Sequence, residues 1–555
     1  MNIKTVVFLF VIIIFSQIKA QIFVPADPFY LLEQENKAFT IDQNNPKNFL
    51  IRPFLNQVDT TLSGNWSVGF RTELFINDNA PNLENTADRW IGKGMSFYQG
   101  FSFAYTNKFL SLSFEPYYFA NQNKDYAESW QDYFNSLPDS ITNKYSHFRY
   151  DQPFREEKFS KLNDNRPHGD EPYRKTGVRE AQLYLHYNGL GIGYSNANMW
   201  WGSGIHSSLN MTNNTTGFPH LMIGTIQEQR IKDFGITFQY IFADSLKHNA
   251  AKPFFTAITS SITYYSEPII TLGFSRSYLT GSNRTTEIIT RKEAMLIPFE
   301  PLYLEDKEVD IWDQTLVGYF TMTFPKVGLV VFVEYGRNDH AYDKDDLISQ
   351  PDHTAASVIG LRKYGFFGNP NLVGGIEYAN LIKTKYWNDR SHADWYDRWN
   401  FDYWGYDGRH WGAHSGPDSD DFTLYFGYMS DKLTIKPSFN YERHGVIDNK
   451  IPEREYGYKD PEHTWLNIWG NGHFWPEVKL EYRFDIKYKY KDYLFNLYYE
   501  YEHIIDDQFR ISVRDGAQFS KSFKNRYSNV FWLGVERRFD KDEIIKSFNQ
   551  YIKKK

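Results

Sequence analysis

Residues 478–490, VKLEYRFDIKYKY, limit what this chain can fold into more than any other stretch. Val478, Leu480, Tyr482, Phe484, Ile486, Tyr488 and Tyr490 are apolar or aromatic, and every residue between them is charged. A strand turns successive side chains to opposite faces, so this segment is a strand with one greasy face and one ionic face. A helix would scatter both sets around its axis. Lys491-Asp492 turns the chain, and 493–502 repeats the alternation with Phe495, Leu497, Tyr499 and Tyr501 on one face. A soluble sandwich would point that face inward. A transmembrane barrel would turn it to lipid and keep the charges in a wet lumen.

The same period predicts eighteen strands, near 62–76, 96–106, 109–119, 179–187, 190–198, 219–227, 232–242, 256–266, 269–279, 316–325, 327–337, 353–364, 370–382, 422–430, 432–443, 478–490, 492–503 and 528–539. Their connections decide between the two architectures. Short turns such as Asn188-Gly189, Glu267-Pro268, Pro325-Lys326, Ser430-Asp431 and Lys491-Asp492 alternate with long segments, among them 120–178, 383–421 and 444–477. In a closed up-and-down barrel alternate connections lie at opposite ends, and outer-membrane barrels pair short periplasmic turns with long extracellular loops. A Greek-key sandwich has no reason to sort its loops this way. The expected fold is therefore all-β, a transmembrane antiparallel up-and-down barrel of about 18 strands with long extracellular loops.

The flanking segments agree with export. Residues 1–20 read as a signal peptide: Lys4, an apolar core over 6–15, and Ala20 as a small residue suited to cleavage. Residues 21–61 form a short N-terminal periplasmic segment with room for one short helix, 62–539 form the barrel, and 540–555 form a periplasmic tail. The chain has no Cys, which excludes disulfides and thiolate metal sites. A mean hydropathy of -0.58 does not argue against a barrel, because alternate residues face water. Aromatic residues at 18% suit interfacial girdles. A net charge of -7 without a concentrated basic surface argues against nucleic acid.

Residues 196–219, NANMWWGSGIHSSLNMTNNTTGFP, carry a Trp-Trp-Gly-x-Gly step, then Ser-Leu, Asn-Asn and Phe-Pro. Trp200, Trp201, Gly202, Gly204, Ser208, Leu209, Asn213, Asn214 and Pro219 resemble the signature of the capsule assembly Wzi family. The resemblance implies an outer-membrane location in a Gram-negative bacterium and binding of capsular polysaccharide at the cell surface. It also implies outer-membrane lipid and the capsule export machinery as partners. The best-known family members plug the periplasmic mouth with an N-terminal helical bundle; about 40 residues precede the first strand here, too few for one. The residues of the stretch leave two roles open: ligand contact, or a constriction folded into the lumen.

Of the 15 Trp, only Trp66 and Trp532 fall in predicted strands, so girdles do not account for the rest. The densest run, 387–411, places Trp395, Trp399, Trp404 and Trp411 among Arg398, Asp402 and other charges. A second run holds Trp465, Trp469 and Trp475. Flat rings can cover sugar C–H faces while carboxylates and guanidinium groups bond hydroxyls, which makes both runs candidate polysaccharide sites; the other reading is a rigid aromatic cap. His410 and His414 have a helical metal spacing in a loop-like context. The acidic runs 338–346 and 417–421 read as solvated loop. No nucleophile motif appears. The expectation is a protein with no catalytic residues, metal or cofactor that binds or anchors capsular polysaccharide or exopolysaccharide; the alternative is a porin or carbohydrate-selective channel.

Overall fold

The computed structural model describes residues 22–40, 47–56, 61–79, 81, 84–124, 172–244, 246, 253–280, 289–299, 312–338, 348, 354–382, 395–396, 405–407, 409–417, 419–444, 477–505 and 525–540, with the backbone of 508–512 and 518–522. The expected signal peptide and the tail after Asp540 lie outside them.

Eighteen antiparallel strands close into one barrel. They are β1 (Asn65–Asn77), β2 (Gly94–Thr106), β3 (Leu110–Asn121), β4 (Tyr173–Tyr187), β5 (Leu190–Ser195) and β6 (His220–Thr225, resumed at Gln229–Ile231). Next come β7 (Phe234–Ala243), β8 (Phe254–Tyr264), β9 (Ile269–Thr280), β10 (Trp312–Phe324), β11 (Leu329–Asn338) and β12 (Ala355–Tyr364). The last are β13 (Leu372–Asn380), β14 (Ser419–Met429), β15 (Leu433–His444), β16 (Glu477–Tyr490), β17 (Tyr493–Ile505) and β18 (Arg526–Asp540). Each pairs with its chain neighbours, and β18 closes the ring on β1 with Phe531 opposite Ile76. Every strand read from the sequence is present.

The sign of burial is inverted relative to a soluble sandwich. On β16, Tyr482 and Tyr490 are 50% and 51% exposed on the outside, while Lys479, Glu481 and Asp485 are buried inside. Phe97, Leu185, Ile192, Phe274, Ile359 and Phe426 also point outward from other strands. An apolar exterior around an ionic interior is stable only in lipid. Among the described residues no helix is long and apolar enough to cross a membrane; the strands do the crossing.

Short turns cluster at one end. Asn188 (φ 50°) and Gly189 (φ 81°) both take left-handed backbone, the two-residue hairpin geometry that suits Asn-Gly. That end is not open. Helix α1 (Pro28–Thr40) lies within it. Asp27 caps the helix by accepting from Phe29 N–H at 2.8 Å, with Pro28 in the first turn. Leu32 is buried against Val330, Tyr364, Val373, Tyr425 and Met429, all near the short turns. Glu35 holds Arg362 through two hydrogen bonds of 2.8 and 2.9 Å and accepts 2.6 Å from the Tyr364 hydroxyl. Glu33 pairs with Lys487. As the length of the N-terminal segment allows, it holds one short helix and no bundle; the helix lies in the short-turn mouth, held by the buried Glu35–Arg362 pair.

Candidate functional site

The inner wall has two characters. From β8 to β13 it is largely apolar or small, with Phe255, Ala257, Val317, Phe332, Ala356 and Val358 buried and Glu334, Arg362 and Glu377 among its charged exceptions. From β15 round to β4 the wall is ionic, with Lys436, Asp485, Arg483, Glu500, Glu536, Arg71, Glu73, Glu115 and Arg179 pointing inward.

The 196–219 segment fills the apolar half. Trp200 and Trp201 are fully buried. Both pair in a short antiparallel bridge with Ile51-Arg52 of the N-terminal segment, and the Arg52 guanidinium lies 5.2 Å from the Trp200 ring centre. Gly202 has φ 136°, and a Cβ there would collide with the Glu334 carboxylate, so neither the backbone nor the space admits another residue. A Cβ on Gly204 would strike the Ser207 carbonyl. Glu334 on β11 accepts from the Ser208 hydroxyl (2.9 Å) and from Leu209 N–H (3.0 Å). Glu377 on β13 accepts from the N–H groups of Ile205, His206 and Ser207 at 2.9, 3.2 and 2.5 Å. Asn213 donates to the Ala26 carbonyl and Asn214 to the His410 carbonyl. Of the signature positions only Pro219 is exposed. A buried, unprotonated carboxylate offers only acceptors, and a run of successive N–H groups satisfies it.

The tryptophan run meets this segment. Trp395 is 3% exposed and Trp411 1%. Trp411 packs on Phe255 and Phe218, its ring centre 4.7 and 5.4 Å from theirs. The Tyr396 hydroxyl donates to the Leu209 carbonyl at 2.6 Å and accepts from Ala413 N–H at 2.7 Å. Trp395 and Trp411 therefore form the aromatic cap over the apolar half; no sugar face reaches these rings, which corrects their expected role. Arg398, Trp399, Asp402, Trp404, Trp465, Trp469 and Trp475 lie outside the described residues.

His410 and His414 do not act as a pair. The His410 ring stacks on Tyr396 at 5.1 Å, and burial, with His444 nearby, pulls its pKa down to about 3. His414 turns to the barrel wall, where its ring meets that of His206. The acidic run at 417–421 is not solvated loop at its end: Asp420 and Asp421 open β14 and are 2% and 1% exposed. Asp420 accepts from Arg443 Nε at 2.7 Å.

The ionic half stays open as a cavity of about 1180 Å³ between the wall, α1 and the 205–206 backbone. Its charges are interlocked. Arg89 bonds Glu73 through two hydrogen bonds of 2.5 and 2.7 Å, Arg71 stands 3.1 Å from Glu536, and Lys436 3.0 Å from Asp485. The arrangement is a half-plugged tube with one chamber lined by interlocked charges.

Sequence reading missed Glu334, Glu377 and Arg362 as the anchors of the plug. A signal for the first was present: Glu334 is the one carboxylate in LVVFVEYG, a strand apolar on both faces. Continuous apolarity marks a strand covered on both sides, and a lone acid within it needs a partner from whatever covers it.

No protein-family model and no curated protein matches the chain by sequence. Solved structures do resemble it. The Escherichia coli protein Wzi, described as an outer-membrane protein involved in group 1 capsule assembly and a carbohydrate-binding β-barrel, superposes with a TM-score of 0.50 at 11% identity, over 85% of this chain and 84% of that one. OccAB1 of Acinetobacter baumannii gives 0.40 at 10% identity over 87% and 98%, and OprD of Pseudomonas aeruginosa 0.37 at 8% over 88% and 97%. At such identities the likeness concerns fold, and the chain is a closed eighteen-stranded barrel of the outer-membrane type.

Proposed function

We propose that this protein binds capsular polysaccharide or exopolysaccharide at the cell surface without catalysis. The observation that supports this reading best is the doubly filled lumen. The 196–219 segment is bonded to the wall across one half, and α1 closes the short-turn mouth. The two obstructions are tied together, since Arg362 bonds both Glu35 of α1 and the Ser203 carbonyl of the plug, and such a filling suits a binding protein that needs the barrel only as a rigid mount for its long loops. The Escherichia coli protein Wzi supplies a precedent for carbohydrate binding on such a barrel. Trp399, Trp404, Trp465, Trp469 and Trp475 are the rings left to hold sugar, and a polymer with many repeats gains retention from several weak contacts. The test is a deletion strain scored for cell-bound and released polysaccharide. Polysaccharide moves to the medium under this reading; unchanged retention refutes it.

The 1180 Å³ ionic chamber favours one other reading, a carbohydrate-selective channel that opens when α1 withdraws. Steady, large ohmic conductance from the intact protein in planar bilayers supports the channel over the binder.

A further inference from the structure

His414 lies at the long-loop end of the lumen, where its side chain is 1% exposed and neither ring nitrogen makes a hydrogen bond. Its Nε2 nonetheless faces three carboxylates. Asp421 Oδ2 is 3.5 Å away, Glu84 Oε2 3.6 Å and Glu442 Oε2 3.6 Å. His206 Nε2 stands 3.1 Å from the same Asp421 oxygen, and the two imidazole rings meet edge to face with centres 4.6 Å apart. A buried imidazole ringed by acceptors that it does not bond is an unusual way to leave a polar group.

The spacings have a simple meaning. Zinc binds His nitrogen and carboxylate oxygen at about 2.0–2.2 Å, so the ligand atoms of a tetrahedral site lie about 3.3–3.6 Å apart. The separations around His414 fall in that range, and the His206–Asp421 contact falls just below it. Two imidazoles with carboxylates are a borderline donor set, which suits a first-row divalent ion better than Ca²⁺ or Mg²⁺. We propose that His206, His414 and Asp421 bind one divalent transition-metal ion of the Zn²⁺ class, with the fourth position left to water.

Lys479 defines the edge of the site. Its ammonium pairs with Glu84 Oε1 and lies 3.0 Å from Glu442 and 3.3 Å from Glu481. Those carboxylates already have a counterion. The two histidines lie on the other side, toward Asp421. The ligands come from three parts of the chain: the plug, the β13–β14 loop and the wall strand β14. The ion would pin that loop and the plug to the barrel at one point.

The test uses the full folded protein in detergent, titrated with Co²⁺ alone and then with Zn²⁺. Wild type should take up one equivalent of Co²⁺ with the visible absorption of a tetrahedral N/O site, displaced by Zn²⁺. H414Q and D421N should weaken binding at least tenfold. H503Q, whose ring stacks on Tyr527 away from the cluster, should bind as wild type. Heat-modifiable migration on gels identifies folded material, and H206Q, at the more exposed edge of the site, serves if H414Q does not fold. No uptake by the wild type would overturn the proposal and mean that the carboxylates are balanced without a metal ion. Uptake undiminished in folded H414Q or H206Q would overturn it equally.

Discussion

Glu334 shows how one side chain can hold a segment in place. It is fully buried, and both the Ser208 hydroxyl and Leu209 N–H point at it. Removing the carboxylate leaves Leu209 N–H without its acceptor in a buried site, at about 1–3 kcal/mol, while the Ser208 hydroxyl keeps the Trp201 carbonyl. We expect E334A to release the 196–219 segment while the barrel stays folded, measured as faster proteolysis within that segment and an unchanged heat-modifiable band. His410 gives the plug a pH dependence. With its pKa near 3 in the fold and about 6.5 when released, the released segment binds the extra proton between those values. Stability of the 409–417 region therefore falls as pH drops below about 6.5, by up to about tenfold per pH unit in the closed-to-open ratio. Hydrogen exchange of that region from pH 7 to 4 should show the slope, and H410N should flatten it.

At the scale of elements, α1 is too short to be stable alone; isolated helices below about 12–15 residues are marginal in water. It persists because Leu32 is buried and Glu35 neutralises Arg362 inside the barrel. Truncating Glu35 to Ala strands a buried guanidinium, at about 3–5 kcal/mol. We expect E35A to loosen the helix and raise conductance in planar bilayers above the wild-type level. Conductance unchanged in E35A, with α1 shown to be displaced, would mean that the 196–219 segment alone closes the lumen. The strands answer to a different rule. Their outer faces are mostly apolar, but their inner faces follow whatever lies against them: Val330 and Phe332 on β11 meet α1 and the plug, whereas Glu481 and Asp485 on β16 meet the open chamber. The ionic strand that makes the architecture legible thus belongs to the open half.

At the scale of the molecule, the barrel is a rigid ring with an eccentric filling. Short turns and α1 share one end, and the buried aromatic cap lies toward the other. We expect epitope tags at 188–189, 325–326 and 491–492 to be hidden in intact cells and tags at 140 or 400 to be accessible. Surface labelling of the Asn188-Gly189 turn would reverse the orientation. W399A/W404A with W465A/W469A should shift polysaccharide from cells to medium without loss of the folded band. Adding W395A or W411A should instead lower thermal stability, by about 3–5 kcal/mol for each buried ring removed.

The eighteen strands, their register of apolar and polar faces and the sorting of their connections were all readable in the sequence, because each rests on local alternation and turn chemistry. The filling of the barrel was not. Trp200, Trp201, Trp395 and Trp411 read equally as sugar platforms or as core, since ring chemistry is the same in both. Only tertiary placement, with Phe255 and Phe218 against Trp411 and the wall around Trp201, decides that these four are core. Likewise His206 is remote in the chain from His414 and Asp421, and the three share no spacing motif. A closed sheet brings distant residues together across its lumen, and that convergence has no signature in one dimension.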